Sequence, residues 1–363
     1  MRRDHNQYLA WMTSVVVFLS ILLSTLSSPV QAQDSPFAKG WDMDPDASQI
    51  TFGSVKFQDG KKVVETHSFA KFAGAIEEDG TVAIRVNLDS VDTKNDLRNV
   101  RMRFLFFETF KYPEAVVTAQ LTSDMAADLT VGSSRDITIP FNFQIHNADN
   151  QMMTDATVTV EGPDRITVQS KTPVIFNVEE FGLGDNLRKI AETAGGFEIV
   201  PKMIIEYRFT FNRRSDGAVS PLVAAADEPA AASALEAQGD FSLDECLGRF
   251  EILSETGNIY FASGSANLDN DSTFVLKSII DIVQRCPGLR ILVSGHTDDV
   301  GSNDMNLGLS VRRAQAVVNY LVGAGIDSGR LFSTGYGEDR PMVENDSEFN
   351  RSRNRRIEFA LYK

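Results

Sequence analysis

The apolar and polar positions of this chain follow two different rhythms. Between residues 34 and 214 short runs alternate with period two: Gln49–Phe57, Val63–Phe72, Thr81–Leu88, Ala115–Leu121, Asp136–Ile145, Thr154–Val160, Arg165–Lys171 and Lys202–Phe211. In the last run Met203, Ile205, Tyr207, Phe209 and Phe211 share one face, and Ile204, Glu206, Arg208 and Thr210 share the other. Alternation interrupted by turn residues predicts antiparallel strands, and about eight strands close a small barrel. Asp96–Phe110 and Asp185–Ala194 do not alternate and predict short helices.

Beyond residue 240 strand and helix signals take turns. Ile259–Phe261 reads as a short strand. Ser272–Arg285 reads as a helix with Asp271 as N-cap and Pro287-Gly288 as its stop. Leu289–Ser294 is an apolar strand. Asp304–Gly323 is a long helix whose buried stripe is expected to be Leu307, Val311, Ala314, Val318 and Leu321. Arg330–Thr334 and Arg356–Leu361 close the sheet. This order predicts an α/β sandwich with helices on one face of a mixed sheet. At 363 residues the chain has room for two cores.

Composition divides the chain further. Tyr8–Leu26 is apolar behind Arg2 and Arg3, and Ser28–Ala32 offers small residues, so residues 1–32 read as a signal peptide cut after Ala32. A retained anchor is the alternative reading. Residues 215–240 are alanine-rich, acidic and without aromatic residues, which marks a linker with one weak helical turn near Ala230–Ala237. As a flexible coil it would span about 25–30 Å and let the two domains, 34–214 and 241–363, move independently. The two cysteines, Cys246 and Cys286, stand in the second domain. In an oxidising compartment such a pair is expected to bridge, and two buried thiols are the alternative.

Charge and motif content exclude several classes. The net charge of -15 argues against nucleic acid as a partner. The cluster Arg351–Arg356 is the local exception and reads as a solvated or salt-bridged end of the last strand. Asp42, Asp44 and Asp46 imitate a calcium loop, but Ala47 and Gly53 stand where it needs Gly and Glu. Asp269-Asn270-Asp271 reads as a turn plus N-cap. The histidines His5, His67, His146 and His296 are scattered, so no metal site is expected; His67 and His146 read as polar strand or turn positions, and His296 as bonding backbone. No catalytic constellation and no cofactor signature is visible, so no enzyme is expected. One pair carries binding chemistry. Asp298 ends an apolar strand, and Arg313 lies fifteen residues on, along the following helix, with Asn306 two turns before it. A carboxylate beside a guanidinium suits a zwitterion, the acid taking an ammonium and the Arg fork a carboxylate. The plain alternative is that the two pair with each other.

Gly295-His296-Thr297-Asp298, Gly301, Asn306, Leu309-Ser310, Arg313-Ala314 and Arg353–Glu358 resemble the C-terminal peptidoglycan-binding domain of the OmpA family. The resemblance covers about residues 241–363. It implies that Asp298 and Arg313 hold the amino-acid end of diaminopimelate in the peptidoglycan stem, with Thr297, Asn306 and Leu309 around them. The first domain resembles the YceI-like family of secreted lipocalin-type barrels. The carrying residues are Trp41–Pro45, Ser48, Phe52, Phe69–Gly74, Val91–Asn95, Leu97-Arg98, Phe106-Phe107, Tyr112–Ala115 and Phe181-Gly182. Some members of that family hold a polyisoprenoid chain, so the phenylalanines here, 16 of 24 in this domain, would line an apolar tunnel. The same residues also read as a filled core. Asp92, Lys94, Asn95 and Arg98 are candidates for a lipid headgroup, or else a helix cap with surface pairs.

Together these expectations describe a periplasmic, non-enzymatic envelope protein that binds peptidoglycan and an apolar lipid. The outer membrane is a further candidate partner. The competing class is a structural outer-membrane barrel anchored to the wall.

Overall fold

The structure, a computed structural model, describes residues 35–194, 198–215, 218, 220, 239–256 and 259–362. Residues 1–32, read above as a signal peptide, and most of the stretch read as a linker, with the turn expected at Ala230–Ala237, lie outside the described residues.

The first domain is an eight-stranded antiparallel barrel. Several of its strands come in pieces. The first is β1 (Trp41–Met43) followed by β2 (Gln49–Gln58), and the second is β3 (Lys61–Phe69) followed by β4 (Phe72–Ile76). Then come β5 (Thr81–Asn87), a short β6 (Val91–Asp92) beside β3, β7 (Glu114–Gln120), β8 (Ser134–Ile145), β9 (Ala148–Gly162) and β10 (Arg165–Ser170). After β11 (Val174–Asn177) and β12 (Glu198–Ile199), β13 (Lys202–Arg213) closes the ring. One edge of β13 pairs with β10, and the other pairs with β1 and β2.

Closure abolishes free edges and turns one face of every strand inward. In β13 the alternation holds: Met203, Phe209 and Phe211 are buried, while Lys202 and Glu206 face water. Strands β8 and β9 reach 12 and 15 residues, longer than their apolar period suggests. Their shared tip is polar or exposed, as at Asn150 and Met153, and hides the pattern there.

Two helices roof one end of the barrel. Asn95 caps Asp96–Arg101 by accepting from Arg98 N at 2.8 Å. The helix expected to reach Phe110 instead widens into a π turn at Met102–Phe106, where Phe107 N donates to Met102 O at 2.8 Å. Through that turn Phe104, Leu105, Phe106 and Phe107 are all buried, which a continuous α-helix would spread around its surface. Gly184–Thr193 forms the second roof helix.

In the second domain β14 (Ile291–His296) is central, parallel to β15 (Leu331–Gly337) and antiparallel to β16 (Ile357–Leu361). The helices are Leu243–Thr256, Thr273–Gln284, Asn303–Gly323 and Glu348–Asn354. The first and last of these were not read from the sequence. Ile259–Phe261 is not a strand; only an isolated bridge joins Phe261 to Leu268. Asp271 is not the cap either. Asp269 accepts from Asp271 N to open a 3-10 turn at Asn270–Ser272, and Ser272 precedes the helix. In Asn303–Gly323 the buried face is Asn306, Ser310, Ala314, Val317, Val318 and Leu321, so Leu307 and Val311 are exposed and the expected stripe fails in the first turns.

The reason lies in the sheet. Gly295 and Gly335 let the helix backbone settle directly on β14 and β15: a Cβ at either would collide with Ser310. That close approach turns small and polar Ser310 inward in place of Leu307. Cys246 and Cys286 form a disulfide joining the first helix of the domain to the segment just after the second. Closing a 40-residue separation contributes about 4 kcal/mol in the chain-entropy model.

The domains touch. Leu97 of the roof packs over Gly248, Lys111 Nζ lies 4.8 Å from the Tyr260 ring centre, and Arg353 donates to Glu192 at 3.0 Å. This contact runs against the expectation of independent movement.

Candidate functional site

The first site gathers where β14 ends and the Asn303–Gly323 helix begins. Asp298 is buried at 7 % exposure. Its Oδ1 accepts from Val300 N at 3.2 Å, and its Oδ2 takes Arg355 Nη1 at 2.6 Å. Arg355 also reaches Glu348, and burial works against its charge while these two acids hold its pKa up. Arg313 Nε donates to Ser265 O at 3.0 Å, and its guanidinium lies 5.0 Å from the Phe261 ring centre. Burial, with Arg355 adding repulsion, pushes the Arg313 pKa down, and Asp298 opposes that shift. The reading in which Asp298 and Arg313 pair with each other gives way to Asp298 on Arg355 and Arg313 on the Phe261–Leu268 loop.

The remaining candidates support the first two. Asn306 Nδ2 donates to Asp298 O at 3.3 Å, Val300 O at 3.2 Å and Glu338 Oε2 at 2.5 Å, so it ties the turn to the helix. Thr297 N donates to Gly337 O, while its hydroxyl is buried without a partner among the described residues. Leu309 is half-buried and brings no polar group. His296 does not bond backbone through its ring as expected; Nε2 lies 3.3 Å from Glu358 Oε2. Burial alone would raise the Glu358 pKa, but His296 and Arg356 overcome it and hold it at about 2. The sequence reading did not single out Arg355 as a site residue; it placed it in a cluster read as a solvated or salt-bridged end of the last strand, and the salt-bridged alternative holds. Its spacing from Asp298 across two strands gave no local signal.

The second site is the barrel interior. The phenylalanines line it without filling it. A cavity of about 150 Å³ remains, walled by Phe69, Phe107, Phe143, Phe176, Phe209 and Phe211 among others. A second cavity, of about 460 Å³ at one mouth, shares Ile76, Leu121, Ile139 and Val168 with it. Thr154 and Tyr207 hydroxyls, 3.0 Å apart, satisfy each other in the wall. An apolar void of this kind stays dry, and leaving 150 Å³ empty costs about 3–4 kcal/mol. A hydrophobic ligand would offset that cost.

The four headgroup candidates separate. Lys94 is exposed and pairs with Asp92, and neither lines the cavity under the roof. Asn95 caps its helix and Arg98 pairs with Glu65 at 2.8 Å, and both border a cavity of mixed polar and apolar lining under the roof. His67, read as a polar strand position, is in fact buried against Phe52.

A closed apolar-lined barrel joined to an α/β sandwich with a buried Asp–Arg site defines a two-domain binding protein. Residues 260–355 match the OmpA family, and residues 41–211 match the YceI-like domain. The chain belongs to the OmpA family through its second domain and carries a YceI-like domain ahead of it.

It is 32% identical over 105 residues to "Peptidoglycan-binding protein ArfA" of Mycobacterium tuberculosis, covering 29% of this chain and 32% of that protein. The chain thus spans about a third of that relative. It is 30% identical over 147 residues to "Peptidoglycan-associated lipoprotein" of Haemophilus influenzae, covering 40% of this chain and 92% of that one. Among solved structures it resembles a polyisoprenoid binding domain from Saccharophagus degradans, at 26% identity and TM-score 0.45, over 48% of this chain and 98% of that domain.

Proposed function

We propose that this chain is a non-enzymatic envelope protein that docks non-covalently on peptidoglycan and carries an isoprenoid-type lipid in its barrel. The observation that carries the first half is buried Asp298 close enough to half-buried Arg313 to act on its charge, next in the chain to the unpartnered Thr297 hydroxyl. Asp298 would receive the ammonium of diaminopimelate and Arg313 its carboxylate. Relatives named for peptidoglycan binding or association support the reading. They also support a place in the envelope, and the leader-like composition of residues 1–32 supports periplasmic residence. The second half is supported by the unfilled apolar cavity and by the YceI-like family match.

The rival reading, a barrel spanning the outer membrane, is disfavoured by the direction of the side chains. Membrane barrels present apolar residues outward and polar ones inward. Here the phenylalanines face the lumen, while Arg135, Asp136, Asp155 and Lys171 face out.

Two measurements test the proposal. The mature chain should sediment with diaminopimelate-type sacculi, and Asp298→Asn and Arg313→Ala should each weaken that by about 2–5 kcal/mol, at least thirtyfold. Undiminished sedimentation of both variants would refute the site. Native mass spectrometry of detergent-free protein should show added mass in the range of a prenyl lipid, and persistently bare mass would refute the carrier half.

A further inference from the structure

The second domain covers one pole of the barrel and leaves the other free. Strand β13 runs from Met203, which borders the cavity under the roof, to Arg213, which borders the apolar mouth. The stretch of strand between them is about 33 Å long. The Leu243–Thr256 helix packs on the roof, with Gly248 against Leu97. Every described residue that borders the mouth belongs to the first domain. The mouth therefore opens at the pole facing away from the second domain.

This opening is apolar from lumen to lip. Its cavity of about 460 Å³ shares Ile76, Leu121, Ile139 and Val168 with the lumen. Among the side chains that border it only Trp41, Thr130 and Arg213 carry nitrogen or oxygen. Trp41 Nε1 is satisfied by Pro36 O at 3.1 Å. Arg213 Nη1 donates to Ala38 O at 2.9 Å, and its guanidinium lies 4.2 Å from the Trp41 ring centre. The loop between β7 and β8 forms one lip. Arg135 Nη1 braces it by donating to Ala127 O at 2.6 Å and Asp124 O at 3.3 Å, and Thr130 N donates to Ser133 Oγ at 2.9 Å. So held, the loop carries Met125 and Leu129 half-buried in the wall of the mouth and Val131 at 61 % exposure. An aliphatic side chain kept in water beside an apolar opening marks a surface that meets another apolar phase.

The chemistry of the mouth selects that phase. A chain that enters the lumen here is apolar, and each methylene carried through water costs about fourfold in partition. Transfer avoids that cost only when the lip touches the phase that supplies the chain, and a bilayer is such a phase. Charge narrows the choice of surface. Asp124 and Asp128 are exposed on the same loop, and neither has an ion pair among the described residues. Such a lip is repelled by an anionic leaflet and suits one whose outermost groups are ammonium.

We propose that the apolar mouth is a docking surface for a zwitterionic phospholipid bilayer, with Met125, Leu129 and Val131 entering the interface while the second domain stays at the opposite pole. The choice of a bilayer as occupant rests on the carrier reading above.

Trp41 makes the test direct, because it is the sole tryptophan beyond residue 11 and stands in the wall of the mouth. The mature full chain, in a preparation whose native mass shows no lipid, is mixed with phosphatidylcholine vesicles whose acyl chains carry bromine. Co-flotation with the vesicles and quenching of Trp41 fluorescence are read together. The expected result is saturable flotation accompanied by quenching. Val131→Asp, at an exposed position, should weaken flotation at least tenfold with its melting temperature unchanged. Phosphatidylglycerol added to the vesicles should weaken it too, and the double variant Asp124→Asn, Asp128→Asn should abolish that loss. Stronger flotation on phosphatidylglycerol would overturn the zwitterionic assignment. Neither flotation nor quenching in the wild type would overturn the docking surface, and a prenyl lipid found in the barrel would then leave the carrier reading standing alone. Flotation that Val131→Asp leaves unchanged would overturn it as well. So would a dimer in light scattering that Val131→Asp dissociates, since a second copy would then cover the mouth. Saturable flotation by a chain whose mass stays bare in every preparation would keep the docking surface and remove the carrier reading.

Discussion

Arg355 shows how much a single residue can be recast by its surroundings. In the sequence it is one of a run of surface charges, whereas in the fold it is the partner of buried Asp298. Removing one member of a buried pair strands the other. Arg355→Ala is therefore expected to destabilise the chain by about 3 kcal/mol in urea titrations and to weaken sacculus binding at least tenfold in pelleting isotherms. Binding and stability both unchanged would show that Arg355 merely decorates the rim.

Two further residues set the response to acid. His67 has its folded pKa depressed from 6.5 to about 4, so its contribution is whole above pH 6.5 and is lost as pH falls towards 4. Glu358, depressed from 4.5 to about 2, contributes fully above pH 4.5 and loses that contribution as pH falls towards 2. The first loss amounts to about 2–3 kcal/mol, and the second to about 2 kcal/mol once screening at its partly exposed side chain is allowed for. Urea midpoints compared between wild type and His67→Gln should converge from pH 7 to pH 4. Parallel curves would rule out His67 as the source.

At the scale of elements, strands and helices were legible to different degrees. The barrel strands announce themselves because a lumen on one side and water on the other impose period two. The Asn303–Gly323 helix was legible as a helix but not in its facing, since Gly295 and Gly335 bring the sheet so close that Ser310 lies inward. The Leu243–Thr256 helix escaped because its partner surfaces, the disulfide and the barrel roof, come from distant sequence.

The lumen allows a direct check. Ala115 of β7 is buried and borders the cavity. Ala115→Leu should partly fill it, raising the melting temperature of lipid-free protein by a few degrees and reducing lipid co-purification. Calorimetry and native mass spectrometry read the two effects, and a variant that melts lower with its lipid retained would mean the cavity walls had no room to give.

Across the whole molecule the two binding sites are joined by packed surface as well as by the linker. The first roof helix, which borders the cavity beneath it, lies on the Leu243–Thr256 helix, and Arg353, two residues from Arg355, reaches Glu192 on the second roof helix. A side chain at Gly248 would meet Leu97 at 2.9 Å. Gly248→Leu is expected to pry the domains apart and raise the radius of gyration in small-angle scattering, with each domain still folded. An unchanged radius would mean that this contact does not hold the domains together in solution.

The sequence by itself determined the local and periodic features: eight alternating strands, a helix with Asp298 ahead of it and Arg313 along it, a paired set of cysteines and an acidic, alanine-rich joint. Period, spacing and composition are written along the chain, and each follows from contacts with neighbours or with water. Tertiary structure alone decided which residues share a cavity. It placed Arg355 on Asp298, left the lumen unfilled, turned His67 towards Arg98 and Arg101, and set the roof against the second domain. Those choices depend on closing a barrel and stacking a helix on glycines, so they unite residues far apart in the chain, where no local pattern records the pairing.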